Sequence, residues 1–152
     1  MTPQQRIKRL RALMHKRKIA ATIIPGTDPH ASEYSPEHWK EREWISGFNG
    51  SAGTVVVTTD DAGLWTDSRY FLQADEQLSG NGIRLFKDGL IETPSITDFL
   101  VESLKTGDSV AVNPEMFSIS AIADLQNQLQ QHGIELNTSY DLIGEIWTEN
   151  RP

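Results

Sequence analysis

Three short segments of the chain carry the residue types that could do chemistry. Residues 28–34 read Asp-Pro-His-Ala-Ser-Glu-Tyr, residues 46–54 read Ser-Gly-Phe-Asn-Gly-Ser-Ala-Gly-Thr, and residues 65–74 read Trp-Thr-Asp-Ser-Arg-Tyr-Phe-Leu-Gln-Ala. Each segment places charged or aromatic groups at a turn or an element end, where they can face a partner instead of a core. No complete catalytic set surrounds them, so we predict a substrate-guarding or docking domain of a larger enzyme.

The first segment has the residue types of a metal site. Asp28, His30 and Glu33 supply two carboxylates and an imidazole within six residues, which suits a hard divalent cation. A site needs enough ligands as well as suitable types, and the sequence offers no second cluster beside them. The alternative is that these groups hydrogen-bond the proline-stiffened loop to itself and to nearby backbone. We favour this loop-organising or docking role and predict no metal ligands and no cofactor in this chain.

The second segment invites interpretation as a phosphate-binding loop. It lacks the Gly-Lys-Ser/Thr ending and leads into a predicted strand, so no helix N-terminus would face the anion. The nearby Ser46, Ser51 and Ser68 do not lie in a Gly-x-Ser-x-Gly nucleophile elbow either. A tight turn that needs positive φ and close backbone approach explains the glycines better. We therefore predict no catalytic residues in this chain.

Arg69 is the most informative single residue of the third segment. A cation in the first turn of a helix is disfavoured by roughly 0.3–1 kcal/mol against the macrodipole, so we expect a carboxylate partner. Asp67 is the local choice, Asp28 or Glu33 is the tertiary choice, and a carboxylate of a peptide or partner is the functional choice. Pairing within the chain is the favoured interpretation, because local ion pairs are common.

The composition predicts one globular domain. A chain of 152 residues can bury about two-thirds of its unfolded surface. The absence of cysteine from the sequence excludes a disulfide framework and a thiolate zinc site, and it is compatible with a reducing compartment. No apolar run approaches the roughly 18 residues that cross a bilayer, and the first residues lack the apolar core of a signal peptide. We expect a cytoplasmic protein with no membrane partner.

The net charge of −7 is unevenly distributed. Seven of the 14 lysines and arginines fall between Arg6 and Lys18, whereas no acidic residue precedes Asp28. A basic arm can bind nucleic acid. Four apolar residues, however, recur at helical spacing in the same stretch: Ile7, Leu10, Leu13 and Met14. The basic residues are therefore predicted to form the solvent face of an amphipathic helix, and we expect no nucleic-acid partner because the acidic remainder repels phosphate.

Hydrophobic periodicity predicts alternating helices and strands along the chain. Strands are predicted at residues 20–24, 54–58, 63–66, 83–86, 109–112 and 134–136. Residues 37–45 are predicted to form a short helix, and a later helix is predicted to begin with Thr93 as its cap and Pro94 at its first position. An antiparallel hairpin early and parallel crossovers late are typical of the α/β class. We predict a mixed β-sheet of about six strands flanked by helices.

The three segments, in this order, resemble the N-terminal domain of the Xaa-Pro aminopeptidase (aminopeptidase P) family in its long, three-domain form. The family pattern is roughly Asp-x-His-x-Ser-Glu-Tyr, then Ser-Gly-Phe-x-Gly-Ser-Ala-Gly-Thr, then Trp-Thr-Asp-Gly-Arg-Tyr-Phe. This sequence departs from the pattern at Ser68, where the family usually has glycine. The stretch Glu145-Ile146-Trp147, followed by Arg151-Pro152, resembles that family's exit from its first domain. The resemblance implies a ribonuclease-H-like, creatinase/prolidase N-terminal fold over residues 1–147, with a linker to a second domain beginning at 148–152.

The resemblance also implies a function that is carried out elsewhere in a longer protein. Enzymes of that family are metalloproteases that remove the residue preceding proline, using two metal ions, usually manganese, in a later catalytic domain. This chain would then be catalytically silent and would contribute to substrate access and subunit contacts. Its partners would be peptides with proline at the second position, its own middle and catalytic domains, and a second copy in a homodimer. The candidate access or interface residues are Asp28, His30, Glu33, Tyr34, Trp39, Arg69 and Tyr70.

Two alternatives remain open at this point. The chain could be a stand-alone interaction module that uses the same fold to bind partners. It could also be the leading domain of a prolidase or creatinase, since those hydrolases carry a similar first domain.

Overall fold

The computed structural model describes residues 1–32 and 34–152. These residues form a six-stranded sheet with strands β1 Ala21–Pro25, β2 Thr54–Thr58, β3 Ala62–Thr66, β4 Arg84–Lys87, β5 Ser109–Ala111 and β6 Glu135–Asn137. The helices are α1 Pro3–Arg17, α2 Glu41–Ser46, α3 Phe71–Leu78, α4 Ile96–Ser103, α5 Ile119–Gln130 and α6 Leu142–Ile146. Single 3₁₀ turns lie at Glu37–Trp39, Ser68–Tyr70 and Pro114–Met116. The predicted mixed sheet of about six strands in an α/β domain is confirmed.

The sheet is mixed because the chain first folds back on itself and then crosses over. Its strand order is β4-β3-β2-β1-β5-β6, with β4 and β6 at the two edges. Strands β1, β2 and β3 pair antiparallel, with Ile23 opposite Val56 and Val56 opposite Gly63. The other three pairings, β3 with β4, β1 with β5, and β5 with β6, are parallel. The two parallel pairs that are consecutive in the chain are joined through a helix, β3 to β4 by α3 and β5 to β6 by α5, as parallel strands require.

Alternate residues of the central strands enter two separate cores. Ile24, Val55 and Val57 face one side of the sheet, where they pack with apolar residues of α1, α2, α3 and α6. Ile23 and Val56 face the other side, beneath α4 and α5. Because the sheet is covered on both faces, its central strands β1 and β2 are buried along nearly their whole length and consist mainly of apolar residues. The two cores make this chain a self-contained three-layer unit.

Helix α1 forms as its sequence predicts. Thr2 caps it by accepting a hydrogen bond from the Gln5 backbone, and the Gln5 side chain accepts one from the Thr2 backbone in return. Ile7, Leu10 and Met14 are buried, so the basic residues lie on the outer face as expected. Among the described residues, no helix combines the length and apolar character that crossing a membrane requires.

Two boundary predictions were wrong. Helix α4 begins at Ile96 and its cap is Ser95, whose hydroxyl accepts from the Asp98 N–H at 3.0 Å; Thr93 instead closes a turn with Leu90. Ser95, three residues before Asp98, is as good a capping residue as Thr93 before Pro94. Because Thr93 takes part in the turn with Leu90, the helix begins after Ser95 instead. The predicted helix over residues 37–45 is split, because Lys40 leaves the helical region with ψ of 55° between the 3₁₀ turn and α2.

Candidate substrate-access site

The first two of the three sequence segments meet at one cleft. The cleft has a volume of about 230 Å³ and is lined by Gly26, Ser32, Tyr34, Ser35, Trp39, Lys40, Arg42, Glu43, Asn49, Gly50 and Ser51. Residues from the loop after β1, from α2 and from the glycine-rich segment therefore share one wall. The third segment reaches the cleft through Tyr70, whose hydroxyl hydrogen-bonds that of Ser51. Sequence segments that lie far apart along the chain thus form one continuous surface.

Arg42 holds the floor of this cleft together. Its side chain is 94% buried on α2, and its guanidinium donates to the carbonyl oxygens of Gly50 and Gly53 and lies 5.0 Å from the Phe48 ring centroid. Burial lowers the pKa of Arg42, although the group stays charged at any physiological pH. A buried guanidinium that bridges two carbonyls fixes the backbone of the glycine-rich segment more firmly than side-chain packing alone.

Two glycines of the second segment lie where a side chain would clash or strain the backbone. A Cβ on Gly50 would lie 2.3 Å from the Phe48 ring and 2.9 Å from the Tyr70 ring, so a side chain does not fit there. Gly47 ends α2 with φ of 79°, the left-handed conformation that favours glycine. The predicted tight turn with positive φ and close backbone approach is confirmed at these positions.

A polar network ties the glycine-rich segment to α3. The Asn49 side-chain oxygen accepts from the amides of Gln73 and Gln77 at 2.6 and 2.9 Å, and the Asn49 backbone N–H donates to Gln77 at 3.1 Å. At the other end of the segment, the Thr66 hydroxyl donates to the Ala52 carbonyl at 2.7 Å. The cleft is therefore supported from the sheet, from α2 and from α3 at once.

Asp28 organises the loop of the first segment. Its carboxylate is buried, and one oxygen accepts the backbone N–H groups of His30 at 2.8 Å and Ser32 at 3.1 Å. The hydrogen bond from the Ser32 backbone, supported by that from His30, holds the pKa of Asp28 below its usual range. The loop-organising role that the sequence favoured for Asp28 is what the contacts show. The His30 side chain is exposed, and Glu33 lies outside the described residues.

Arg69 pairs with its local carboxylate. The guanidinium contacts Asp67 in a bidentate ion pair, at 3.0 Å and 2.9 Å, and lies 5.0 Å from the Tyr70 ring centroid. The hydrogen bonds from the Arg69 side chain lower the pKa of Asp67, and the same contact raises that of Arg69. The Arg69 side chain is still 65% exposed, so its outer face is available to a further carboxylate. Asp67 also caps the turn by accepting the Arg69 backbone N–H.

Two aromatic residues line the cleft, Tyr34 and Trp39, and a third, Tyr70, adjoins it. Tyr34 is 85% exposed. Trp39 is half-buried, with its ring edge-on to His38 at a centroid distance of 4.8 Å. Tyr70 is also half-buried and meets Phe48 edge-to-face at 6.0 Å. The structure thus brings Tyr34 and Trp39 into the lining of the cleft, with Tyr70 beside it through Ser51 and Arg69 next to Tyr70.

Sequence reasoning missed a charged pair beneath the same wall. Glu41, on α2, is 98% buried and meets Arg151 at 3.4 Å. Arg151 belongs to residues 148–152, which we call the exit segment after the predicted linker. Burial raises the pKa of Glu41 to about 7, and the nearby carboxylate of Asp141 adds to the effect. A partner more than a hundred residues away leaves no local signal in the sequence. Arg42 was missed too, although several turn carbonyls in the glycine-rich segment indicate that a donor is needed there.

The described residues do not converge on a metal site. Across 1–32 and 34–152, no group of three histidine, aspartate or glutamate side chains converges as ligands would. One Asp28 oxygen is buried without a hydrogen-bond partner among the described residues, but a single oxygen falls short of the ligand count a divalent ion needs. Among the described residues, the lining of the cleft offers aromatic faces, hydroxyls, an amide and charged groups.

The fold and this cleft define a known class of domain. Residues 6–143 match the Creatinase/Prolidase N-terminal domain family, and the chain belongs to that family. Solved N-terminal domains of this class share the architecture at low identity; one from the Mycobacterium tuberculosis cytoplasmic peptidase PepQ superposes with a TM-score of 0.66 over 93% of this chain at 19% identity. That likeness shows the fold alone.

Particular relatives are much more similar. The chain is 41% identical over 155 residues to the Xaa-Pro aminopeptidase ApepP of Drosophila melanogaster, and 43% identical over 136 residues to aminopeptidase P2 of Arabidopsis thaliana. These alignments cover 97% and 88% of this chain but 25% and 19% of the relatives. The X-prolyl aminopeptidase of Caenorhabditis elegans, described as a cytosolic enzyme with a di-nuclear active site, matches all of this chain and 26% of its own at 33% identity and a TM-score of 0.92. The chain thus spans about a quarter of the length of these relatives.

Proposed function

We propose that this chain is the non-catalytic N-terminal domain of a metal-dependent Xaa-Pro aminopeptidase, which removes the N-terminal residue preceding proline. In this proposal the domain narrows the entrance to an active site built by later domains, and it admits short peptides with free amino ends. The observation that carries the proposal is the convergence of the family's three segments on one cleft.

The geometry supports a role in access for three exposed or half-exposed groups. Arg69 presents an outward face beside its Asp67 pair, and a guanidinium with a planar fork suits a peptide carboxylate. The Tyr70 ring beside it and the exposed His30 offer an apolar face and a polar tip. Tyr34 at 85% exposure and Leu72 at 88% exposure add apolar surface that suits a subunit or domain contact.

The same proposal includes features of the parent enzyme. The metal ions, manganese in our proposal, would lie in the catalytic domain, and the parent would be a cytoplasmic homodimer. Support comes from the Caenorhabditis elegans relative, which is described as cytosolic with a di-nuclear site. The division of labour follows from the chemistry, because activating a bridging water takes a full set of metal ligands in one place.

The test is Arg69→Ala in the full-length parent enzyme. We expect kcat/KM for longer Xaa-Pro peptides to change relative to that for a short peptide by roughly five- to tenfold, the usual range for losing one charged contact, or the dimer to dissociate at lower dilution. Arg84→Ala is the matched control. Arg84, on the edge strand β4, is also exposed and forms a bidentate ion pair, in its case with Asp61. If Arg69→Ala leaves folding, assembly and the peptide-length preference unchanged, the access role is wrong.

A further inference from the structure

The exit segment is fastened to the wall of the cleft by one side chain. Arg151 donates two hydrogen bonds to the His38 carbonyl, at 3.1 and 2.8 Å, and a third at 3.4 Å to the Glu41 carboxylate. Its guanidinium also lies 4.6 Å from the Trp147 ring centroid. The Pro152 carbonyl completes the contact at 2.7 Å from the His38 ring. Residues 151–152 are therefore attached to the turn that carries Trp39.

The carboxylate under this contact is placed unusually for a glutamate. The Glu41 side chain is 97% buried and the Arg151 side chain is 88% buried, so neither charge is well hydrated. The other charged groups that act on Glu41 are the carboxylates of Asp141, at the start of α6, and Glu115, in the 3₁₀ turn before α5. Tyr140 lines the small adjoining cavity of about 10 Å³. Two like charges thus oppose the ionisation of Glu41 and one cation favours it.

We propose that Glu41 and Arg151 form a proton-sensitive latch, which holds the exit segment against the cleft wall when Glu41 is ionised and loosens it when Glu41 is neutral. Ionised Glu41 supplies the counter-charge that keeps a buried guanidinium in place. When Glu41 is neutral, Arg151 keeps only its contacts with the His38 carbonyl and the Trp147 ring. Water can replace these contacts, so the guanidinium can leave its site and become hydrated. The exit segment then gains freedom while the two apolar cores stay intact.

The latch works near neutral pH because burial brings the pKa of Glu41 to about 7. Above this value the carboxylate is charged and the segment is fastened. Below it, the proton neutralises Glu41 and the ion pair is lost. The same contact reaches the cleft, since His38 precedes Trp39 and Lys40, which line it. A change in the exit segment is thereby passed to one wall of the cleft.

The test is a pH titration of the 152-residue chain by ¹⁵N NMR. We expect the backbone amides of residues 149–151 and the indole N–H groups of Trp39 and Trp147 to shift with a common midpoint near pH 7. We also expect the order parameters of residues 149–151 to fall from about 0.85 at pH 8 towards or below about 0.6 at pH 6. Glu41→Gln should remove the titration and leave the segment mobile at both pH values. Arg151→Gln should also leave the segment mobile at both pH values, whereas the titration of Glu41 should persist with its midpoint moved to higher pH, because the cation that favours its ionised form is gone.

Two variants control for other ionisable groups. Glu37→Gln changes an exposed carboxylate of the same region, which pairs with Lys40, and should keep the full titration. His38→Gln removes the ionisable ring beside the exit segment but keeps the carbonyl that Arg151 binds, and should also keep it.

A midpoint that survives in Glu41→Gln would overturn the latch, and so would chemical shifts that titrate while the order parameters stay constant. These readouts use no peptide and no catalytic domain, so they are independent of the proposed access role.

Discussion

At Glu41, the cost of burying a charge outweighs the attraction of a nearby cation. Arg151 approaches the carboxylate, yet the pKa still rises, because desolvation is the largest effect and Asp141 adds repulsion. The opposite balance holds at Asp67, where the carboxylate is more exposed and the Arg69 guanidinium binds it in bidentate fashion, so the pKa falls. Sequence reasoning predicted the second case, since the partners are two residues apart. It missed the first, because burial depends on the tertiary fold.

Glu41 should make the domain less stable as the pH rises. Its folded pKa of about 7 lies above the ordinary 4.5, so its stabilising contribution is complete below about pH 4.5 and is lost as the pH rises through 7. We expect Glu41→Gln to be more stable than the natural chain at pH 8 by up to roughly 3 kcal/mol, and equally stable at pH 4.5. Urea unfolding at both pH values measures the difference.

Glu37→Gln serves as the comparison for that experiment, because its carboxylate is exposed and paired only at the surface. At pH 8 its stability should lie within about 1 kcal/mol of that of the natural chain, the usual limit for an exposed ion pair. Parallel pH profiles for Glu41→Gln and the natural chain would contradict the burial argument.

Among the elements, those with a strong periodic pattern were predicted well. Helix α1 forms where its amphipathic stretch predicted it, and the six strands lie within a residue or two of their expected positions, because apolar spacing and turn residues specify them. Helix α6 was not predicted, because five residues are too few to show a periodic stripe. The site depends on the loops between elements, and their mutual approach is set by long-range contacts. The chemistry of each segment was therefore visible in the sequence, while the cleft they form was not.

A glycine substitution can test how closely the glycine-rich segment packs against its neighbours. We expect Gly50→Ala to destabilise the domain by roughly 2–4 kcal/mol, because the added methyl overlaps the rings of Phe48 and Tyr70 and cannot be accommodated by moving one flexible side-chain end. Gly82→Ala is the matched control, because Gly82 has φ of 75° and open space around its Cβ position. Its only cost is the strain of alanine in the left-handed region, so its free energy of unfolding should fall by only about 1 kcal/mol. Thermal unfolding of both variants measures the difference. Equal losses would mean that the close packing at Gly50 is unimportant.

On the scale of the whole molecule, the chain has the core of a complete domain, while the function proposed above assigns the chemistry to a longer protein. Both faces of the sheet are covered, so the fold can be stable without further domains. The cleft, in contrast, carries no set of metal ligands within the described residues, and its relatives are about four times as long. Stability and chemistry therefore reside in different parts of the polypeptide, under the function proposed above.

This separation predicts that the chain alone does not cleave peptides. Incubated with an Xaa-Pro peptide and added Mn²⁺, it should release the N-terminal residue no faster than buffer does, whereas the full-length parent should turn over under the same conditions. Release of the free amino acid, followed by chromatography, is the measurement. Turnover that accompanies the purified chain and disappears in His30→Ala would place chemistry in this domain and refute the proposal.

The two outer strands of the sheet have a consequence for the behaviour of this domain in solution. Strand β4 presents the exposed cations Arg84 and Lys87, and strand β6 presents the exposed anion Glu135. Each edge is also short, at four and three residues. Charges on a short border oppose the docking of a foreign strand, because pairing would force them out of water beside another backbone. The sheet therefore resists growing into ribbons of stacked copies, which favours dispersed molecules even at high concentration.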